Sequence, residues 1–234
     1  MRPRPPRLTG PLLALALFTS VLAGCGGSSQ GNGVAAKTPN EIVAQAKALA
    51  DAASSVHVSG SIVSGGTPIT LDLELLAGKG GHGQLSENGL SFELVQIHGT
   101  AYIKGSPAFY RQVAGAAAAQ LLQGRWLKAS ATSGNLASLA SLTDLRQLLD
   151  TMLAGHGTLA KGASATVGGQ KAIAVTDTSK GGTLYVATTG PPYPIEVMKG
   201  GAAGGRIVFD RWNQTVSVTA PANAIDIAQL QSKH

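Results

Sequence analysis

The sequence predicts an α+β domain built on a largely antiparallel β-sheet, and three observations carry that prediction. Apolar residues alternate with polar ones over most of the chain from Val56 onward, the period of a half-buried strand. Glycine-rich stretches such as GKGGHG, GGQ, KGG, TGPPYP and GGAAGG punctuate those runs at hairpin spacing. Helical periodicity is confined to one segment ahead of the strands and to a central block. The order is therefore helix, meander of strands, two helices, second meander, and such segregation is the pattern of an α+β fold.

The chain opens with a leader. Arg2, Arg4 and Arg7 supply positive charge, Gly10-Pro11 interrupts the chain, and LLALALFTSVLA follows over residues 12–23. A basic segment before a short apolar run has the layout of a secretory signal and is too short to span a bilayer. It ends Leu22-Ala23-Gly24-Cys25, which looks like a bacterial lipobox. The small Ala23 and Gly24 admit a peptidase to the backbone, and the thiol of Cys25, the single cysteine of the chain, takes a diacylglyceryl group. Residues 1–24 are thus expected to be a signal peptide, with Cys25 as the lipid attachment site and first mature residue. Two or three acyl chains hold a protein stably at a membrane where one holds it marginally. Removing the leader takes three of the 18 basic residues and none of the 12 acidic ones, leaving a net charge of +3. So weak a charge, without basic residues alternating with aromatics, excludes nucleic acid as a partner.

Residues 25–37 read as a flexible tether, because Gly, Ser, Gln and Asn follow one another without periodicity. A single domain is expected over residues 38–234. Thr38-Pro39-Asn40-Glu41 is a capping box with proline at the first helical position. Ile42, Val43, Ala46, Leu49, Ala50 and Ala53 then recur at helical spacing as far as Ser54-Ser55. Next, Val56, Val58 and Ile62 alternate with His57, Ser59 and Ser61; after Gly65-Gly66, Ile69, Leu71, Leu73 and Leu75 alternate with Thr70, Asp72 and Glu74. That pair is the strongest hairpin in the sequence. Further strands are expected at residues 83–86, 91–98 and 100–104. Helices follow at 115–122 and 141–153, the second with Leu142, Leu145, Leu148, Leu149, Met152 and Leu153 on one face and Ser141 and Asp144 as caps. Strands resume at 165–167, 171–176, 183–187, 195–199, 206–212 and 215–219. A large sheet covered by a few short, Ala-rich helices either leaves an apolar cavity or closes as an ordinary core.

Reactive motifs carry no chemistry here. The one Gly-x-Ser-x-Gly match, GSSQG at 27–31, falls in the expected tether and not on a strand-to-helix turn, and there is no Ser-x-x-Lys. His57, His82, His98, His156 and His234 stand singly, without metal-ligand spacing, so neither a metal nor a cofactor is expected. Asp72 and Glu74 fall on the polar face of their strand. Tyr102, Trp126 and Trp212 either line a cavity or pack as ordinary aromatics.

Several segments resemble the LppX/LprA/LprF/LprG-type cell-envelope lipoproteins, whose fold is similar to the lipoprotein carrier LolA: LAGC, AKALADAASSVHVSGSI, VQIHGTAYIKG, GRWLKAS, LRQLLDTML, VGGQKAIAVTDT and GRIVFDRWNQTVSVTAP. The resemblance follows the element order over roughly residues 38–225 and implies a half-barrel sheet wrapped around helices. It also implies an apolar cavity for acyl chains of a lipid or lipoglycan, and lipid transport or transfer in the envelope. The residues expected to line that cavity are Val58, Ile62, Ile69, Leu71, Leu73, Leu75, Phe92, Leu94, Tyr102, Leu145, Leu149, Leu184, Val186, Ile195, Val197, Ile207 and Phe209. LolA-like domains also act as envelope sensors or adaptors through protein contact, which is the alternative reading; an enzyme ranks last.

Overall fold

The structure is a computed structural model and describes residues 31–64, 66–132, 142–153, 155–201 and 204–231. Cys25, the leader and Ser141 lie outside the described residues. Twelve strands form one sheet: β1 (Ser55–Ser64), β2 (Thr67–Leu76), β3 (Gly80–Glu87), β4 (Leu90–Ile97), β5 (Thr100–Gly105), β6 (Leu127–Ser130), β7 (Leu159–Val167), β8 (Gln170–Asp177), β9 (Thr183–Ala187), β10 (Pro194–Lys199), β11 (Gly205–Asp210) and β12 (Ile225–Asp226). Their spatial order is β12-β6-β5-β4-β3-β2-β1-β11-β10-β9-β8-β7. Neighbours are antiparallel except β12, which runs parallel to β6. The long-range step is the pairing of β1 with β11, from His57 opposite Asp210 to Ile62 opposite Gly205, which joins the two meanders edge to edge. The helices are α1 (Pro39–Asp51), α2 (Pro107–Leu122), α3 (Leu145–Leu153) and α4 (Ile227–Gln231).

Glycine lets this sheet curl. A Cβ on Gly60 of β1 would lie 2.0 Å from the carbonyl oxygen of Arg206, and one on Gly83 of β3 would lie 2.0 Å from that of Asp72. Both residues have positive φ, 144° and 157°, so the strands bend where a side chain would hold them apart. The result is an open, curved sheet with helices on its inner face.

Capping chemistry sets the helix starts. The Glu41 amide donates to Thr38 Oγ1, and the Thr38 amide donates to Glu41 Oε2 at 2.9 Å, completing the box. The Thr38 hydroxyl, which donates to the same Oε2 at 2.7 Å, and then the Thr38 amide hold the Glu41 carboxyl below its usual pKa. Asp144 Oδ1 accepts the Gln147 amide at 3.0 Å and caps α3. Helix α1 buries Ile42, Val43, Ala46 and Ala50, and α3 buries Leu145, Leu148, Leu149 and Leu153. Lys47 ties the two helices together, its Nζ standing 2.6 Å from Asp51 and 2.6 Å from Asp150.

Several elements differ from expectation. The packed chain begins before residue 38: Asn32 Nδ2 donates to the carbonyls of Ala187 and Gly190, and Val34 is fully buried in a short 3-10 helix, Val34–Ala36. Those hydrogen bonds and that buried side chain shorten the expected tether from its carboxyl-terminal side. Helix α2 starts at Pro107, where Ser106 accepts the Phe109 amide and proline occupies N1; Gly115, at φ 82° and ψ 169°, interrupts it. Residues 215–219 form no strand, because β11 already has β1 on one side and β10 on the other. The chain crosses instead to the far edge as β12. Strand β7 starts at Leu159, earlier than expected, because most of its residues are exposed and the run shows no clean alternation.

Candidate functional site

The inner face of the sheet is apolar by alternation. Val58, Leu71, Leu73, Leu75, Leu94, Leu184, Val186, Ile207 and Phe209 share one buried cluster with Leu145 and Leu149 of α3, and Ile62, Phe92 and Val197 pack against its margin. Ile69 is half-buried near the tip of the β1–β2 hairpin. The other two expected lining residues face outward. Tyr102 lies between the buried Ala101 and Ile103, so alternation turns its ring to the outer face. Ile195 sits where the register of β10 slips between Pro194 and Glu196; the bulge sends it to a small outer cluster with Ala172 and Ala187. Trp126 is also off the inner face, with the Lys104 ammonium 5.1 Å from its ring centroid. Trp212 packs at the margin of the main core, stacks on Tyr193 at 4.6 Å and donates to the Pro194 carbonyl.

Most of that face is closed, and the hollow lies at one end. A cleft of about 290 Å³ opens between the carboxyl end of α3 and the ends of β8, β9 and β10. Val43, Met152, Leu153, Leu159, Val175, Leu184 and Val197 line its apolar side, with His156, Asp177, Lys180 and Lys199 among its polar residues. A second cleft of about 140 Å³ lies beside it, bounded by Ile62, Met152, Val197, Lys199, Gly204, Gly205 and Ile207. A third, of about 170 Å³, lies beneath α2 between Ala101, Ile103, Phe109, Tyr110 and Leu127. Of the expected lining residues, Leu184 and Val197 reach the first cleft and Ile62, Val197 and Ile207 the second. Sequence reading missed Val43, Met152, Leu153, Leu159 and Val175. Met152 and Leu153 stood at the end of the α3 stripe, which was their signal; the polar rim carried none.

Asp177 organises the loops at this mouth. Its carboxylate accepts the amides of Gly157 at 2.6 Å, Lys180 at 2.8 Å and Ser179 at 3.0 Å, together with the Ser179 hydroxyl at 3.0 Å. The Gly157 amide, then that of Lys180, hold its carboxyl far below the usual carboxylate range. The chain after α3 is thereby pinned to the β8–β9 turn.

The outer face is polar and cross-linked. His57 contacts Asp210 through Nδ1 at 2.6 Å and Asp72 through Nε2 at 3.0 Å, while Arg211 meets Glu74 at 2.8 Å. Asp72 and Glu74 thus serve as cross-strand partners. Among the described residues, no group of three or more His, Cys, Asp or Glu side chains is arranged to hold a metal ion. No helix among them is long and apolar enough to cross a membrane.

An open antiparallel sheet curled over helices, with an apolar inner face and clefts at its rim, is a half-barrel of the kind expected from the resemblance. Among solved structures the chain is similar to LprF from Mycobacterium bovis, with a TM-score of 0.54 and 12% identity over 79% of this chain and 97% of that one. It is also similar to the lipoprotein LppX of Mycobacterium tuberculosis, with a TM-score of 0.49 and 17% identity over 77% and 99% of the two chains. In fold, then, this chain resembles LprF. No protein-family model and no curated protein sequence matches it.

Proposed function

We propose that this protein is a lipoprotein, anchored through acyl groups on Cys25 to the extracytoplasmic face of a bacterial cell membrane, that binds a lipid by its acyl chain for transport or transfer in the envelope. The observation that carries this reading is the apolar-lined hollow of about 290 Å³ on the inner face of an LprF-like sheet, close to the lower end of the usual range for small-ligand sites. Each methylene placed there contributes about 0.8 kcal/mol. The protein acts by holding cargo and not by catalysis, in keeping with a sequence whose single Gly-x-Ser-x-Gly match lies in the expected tether.

The soluble Cys25→Ala protein, purified from its own host, is expected to carry non-covalent lipid in native mass spectra and, once delipidated, to take lipid up again. Spectra of bare polypeptide under both conditions would remove the binding reading. Anchoring is tested separately: Cys25→Ala should leave the membrane fraction, and retention after a high-salt wash would show that the lipobox assignment is wrong. A sensor or adaptor acting through protein contact is the second reading. It draws on α2, whose Val113 and Leu121 are 60% and 77% exposed.

A further inference from the structure

We propose that the two clefts beside α3 are one binding groove, divided by the Met152 side chain, and that it takes a single acyl chain with an anionic head held at the Lys180–Lys199 rim. This deepens the lipid-binding reading and rests on it. Strand register places the clefts in line. Thr183 pairs with Met198, Met198 with Arg206, and Arg206 with Ser61, so one row crosses β9, β10, β11 and β1 at the same end of the sheet. The first cleft opens at the β9–β10 end of that row and the second at the β11–β1 end. Met152 belongs to the wall of both, as do Val197 and Lys199. Methionine is the side chain best suited to such a partition, because its unbranched thioether swings aside at little cost.

Volume sets the number of chains. A methylene occupies about the room of a liquid water molecule, ~30 Å³, so the larger cleft holds roughly ten methylenes and the smaller roughly five. Joined, they match one ordinary fatty chain. The groove itself does not deepen to admit a second chain, since Val58, Leu73, Leu149 and Val186 behind it are fully buried.

Charge sets the head. Lys199 shares the strand parity of inward-facing Val197 and stands at the rim of both clefts. Among the described residues neither Lys199 nor Lys180 has a carboxylate partner; the Lys180 ammonium donates only to the Gly155 carbonyl, at 2.7 Å. Asp177 is the one acid in the wall, and its oxygens are already taken by the loop amides and the Ser179 hydroxyl. Two ammonium groups without counter-charge, at the edge of an apolar groove, recognise a carboxylate or phosphate head in preference to a zwitterionic one.

The test uses delipidated Cys25→Ala protein and native mass spectrometry with five probes: palmitate, a monoacyl glycerophosphate, a monoacyl phosphatidylcholine, a diacyl phosphatidylglycerol and a triacylglycerol. The two single-chain anions are expected to bind at one per protein, roughly tenfold more tightly than the zwitterion, the equivalent of one charge-assisted contact. Comparing palmitate with the glycerophosphate tells which head the rim prefers. Lys199→Glu should remove the preference for anions while the melting temperature stays unchanged, as Lys199 is exposed. Met152→Trp should move the preferred chain from about sixteen carbons to about ten, following the volume of the larger cleft alone. Tight binding of diacyl or triacyl lipid, or indifference to Lys199→Glu, would overturn this inference and leave lipid binding standing. Failure of all five probes would overturn both.

Discussion

On the inner face of β1 and β2, Val56, Val58, Leu71, Leu73 and Leu75 belong to one buried apolar cluster. One residue along each strand, the outer face carries His57, Asp72 and Glu74; His57 contacts both Asp72 and Asp210 of β11, and Arg211, the residue after β11, pairs with Glu74. The same backbone therefore supports two kinds of order. The inner face is held by removal from water, which needs no particular partner. The outer face is held by paired charges, most of which remain in contact with solvent and contribute little individually. Glu196 is the most enclosed of them: its side chain is 4% exposed, and Arg206 neutralises it with contacts of 2.6 and 2.8 Å.

That contrast is easiest to break at adjacent residues. Leu73→Asp puts an unpaired charge into the cluster and should cost several kcal/mol, enough to unfold a marginally stable domain; loss of the cooperative thermal transition is the readout. Phe209→Ala should cost about 3–5 kcal/mol by leaving a cavity where β11 meets the helices, measured as a lower urea midpoint. Arg206→Met leaves the Glu196 carboxylate buried without its partner. Because the guanidinium is itself largely exposed, the expected loss is nearer about 1–3 kcal/mol than the full cost of a broken interior pair. A double change, Arg206→Met with Glu196→Leu, should recover most of it.

A pH series sharpens the comparison at the cleft mouth. Loop amides hold the folded-state pKa of Asp177 below its ordinary value of 3.8, so its stabilising effect is present above that value and is lost as pH falls below it. Asp177→Asn should therefore melt at a lower temperature than the parent at pH 7, and the gap should narrow below about pH 4. An undiminished gap at pH 2.5 would mean that the carboxylate charge is not what holds the loops. The smallest effect is expected at Asp72→Leu, next to Leu73 but on the wet face, where surface changes usually stay within about 0.5 kcal/mol. A loss comparable with that of Leu73→Asp would mean that the two faces are not distinct.

Sequence alone determined whatever depends on neighbours along the chain. The Thr38–Glu41 cap, the leucine stripe of α3, and the β1–β2 hairpin with its inward and outward residues follow from spacing, because helix and strand periods fix which side chains share a face. Tertiary structure decided whatever depends on which edge a strand finds. The pairing of β1 with β11 leaves residues 215–219 without an edge, so an alternating run becomes an unpaired crossing. The bulge at Ile195 reverses parity for one residue, and burial of both Ala101 and Ile103 turns the Tyr102 ring outward. The cleft itself was out of reach for the same reason. Met152, Val175 and Lys199 come from a helix and two strands, and only the pairing of β8 and β10 through β9, with α3 packed against them, brings them around one hollow.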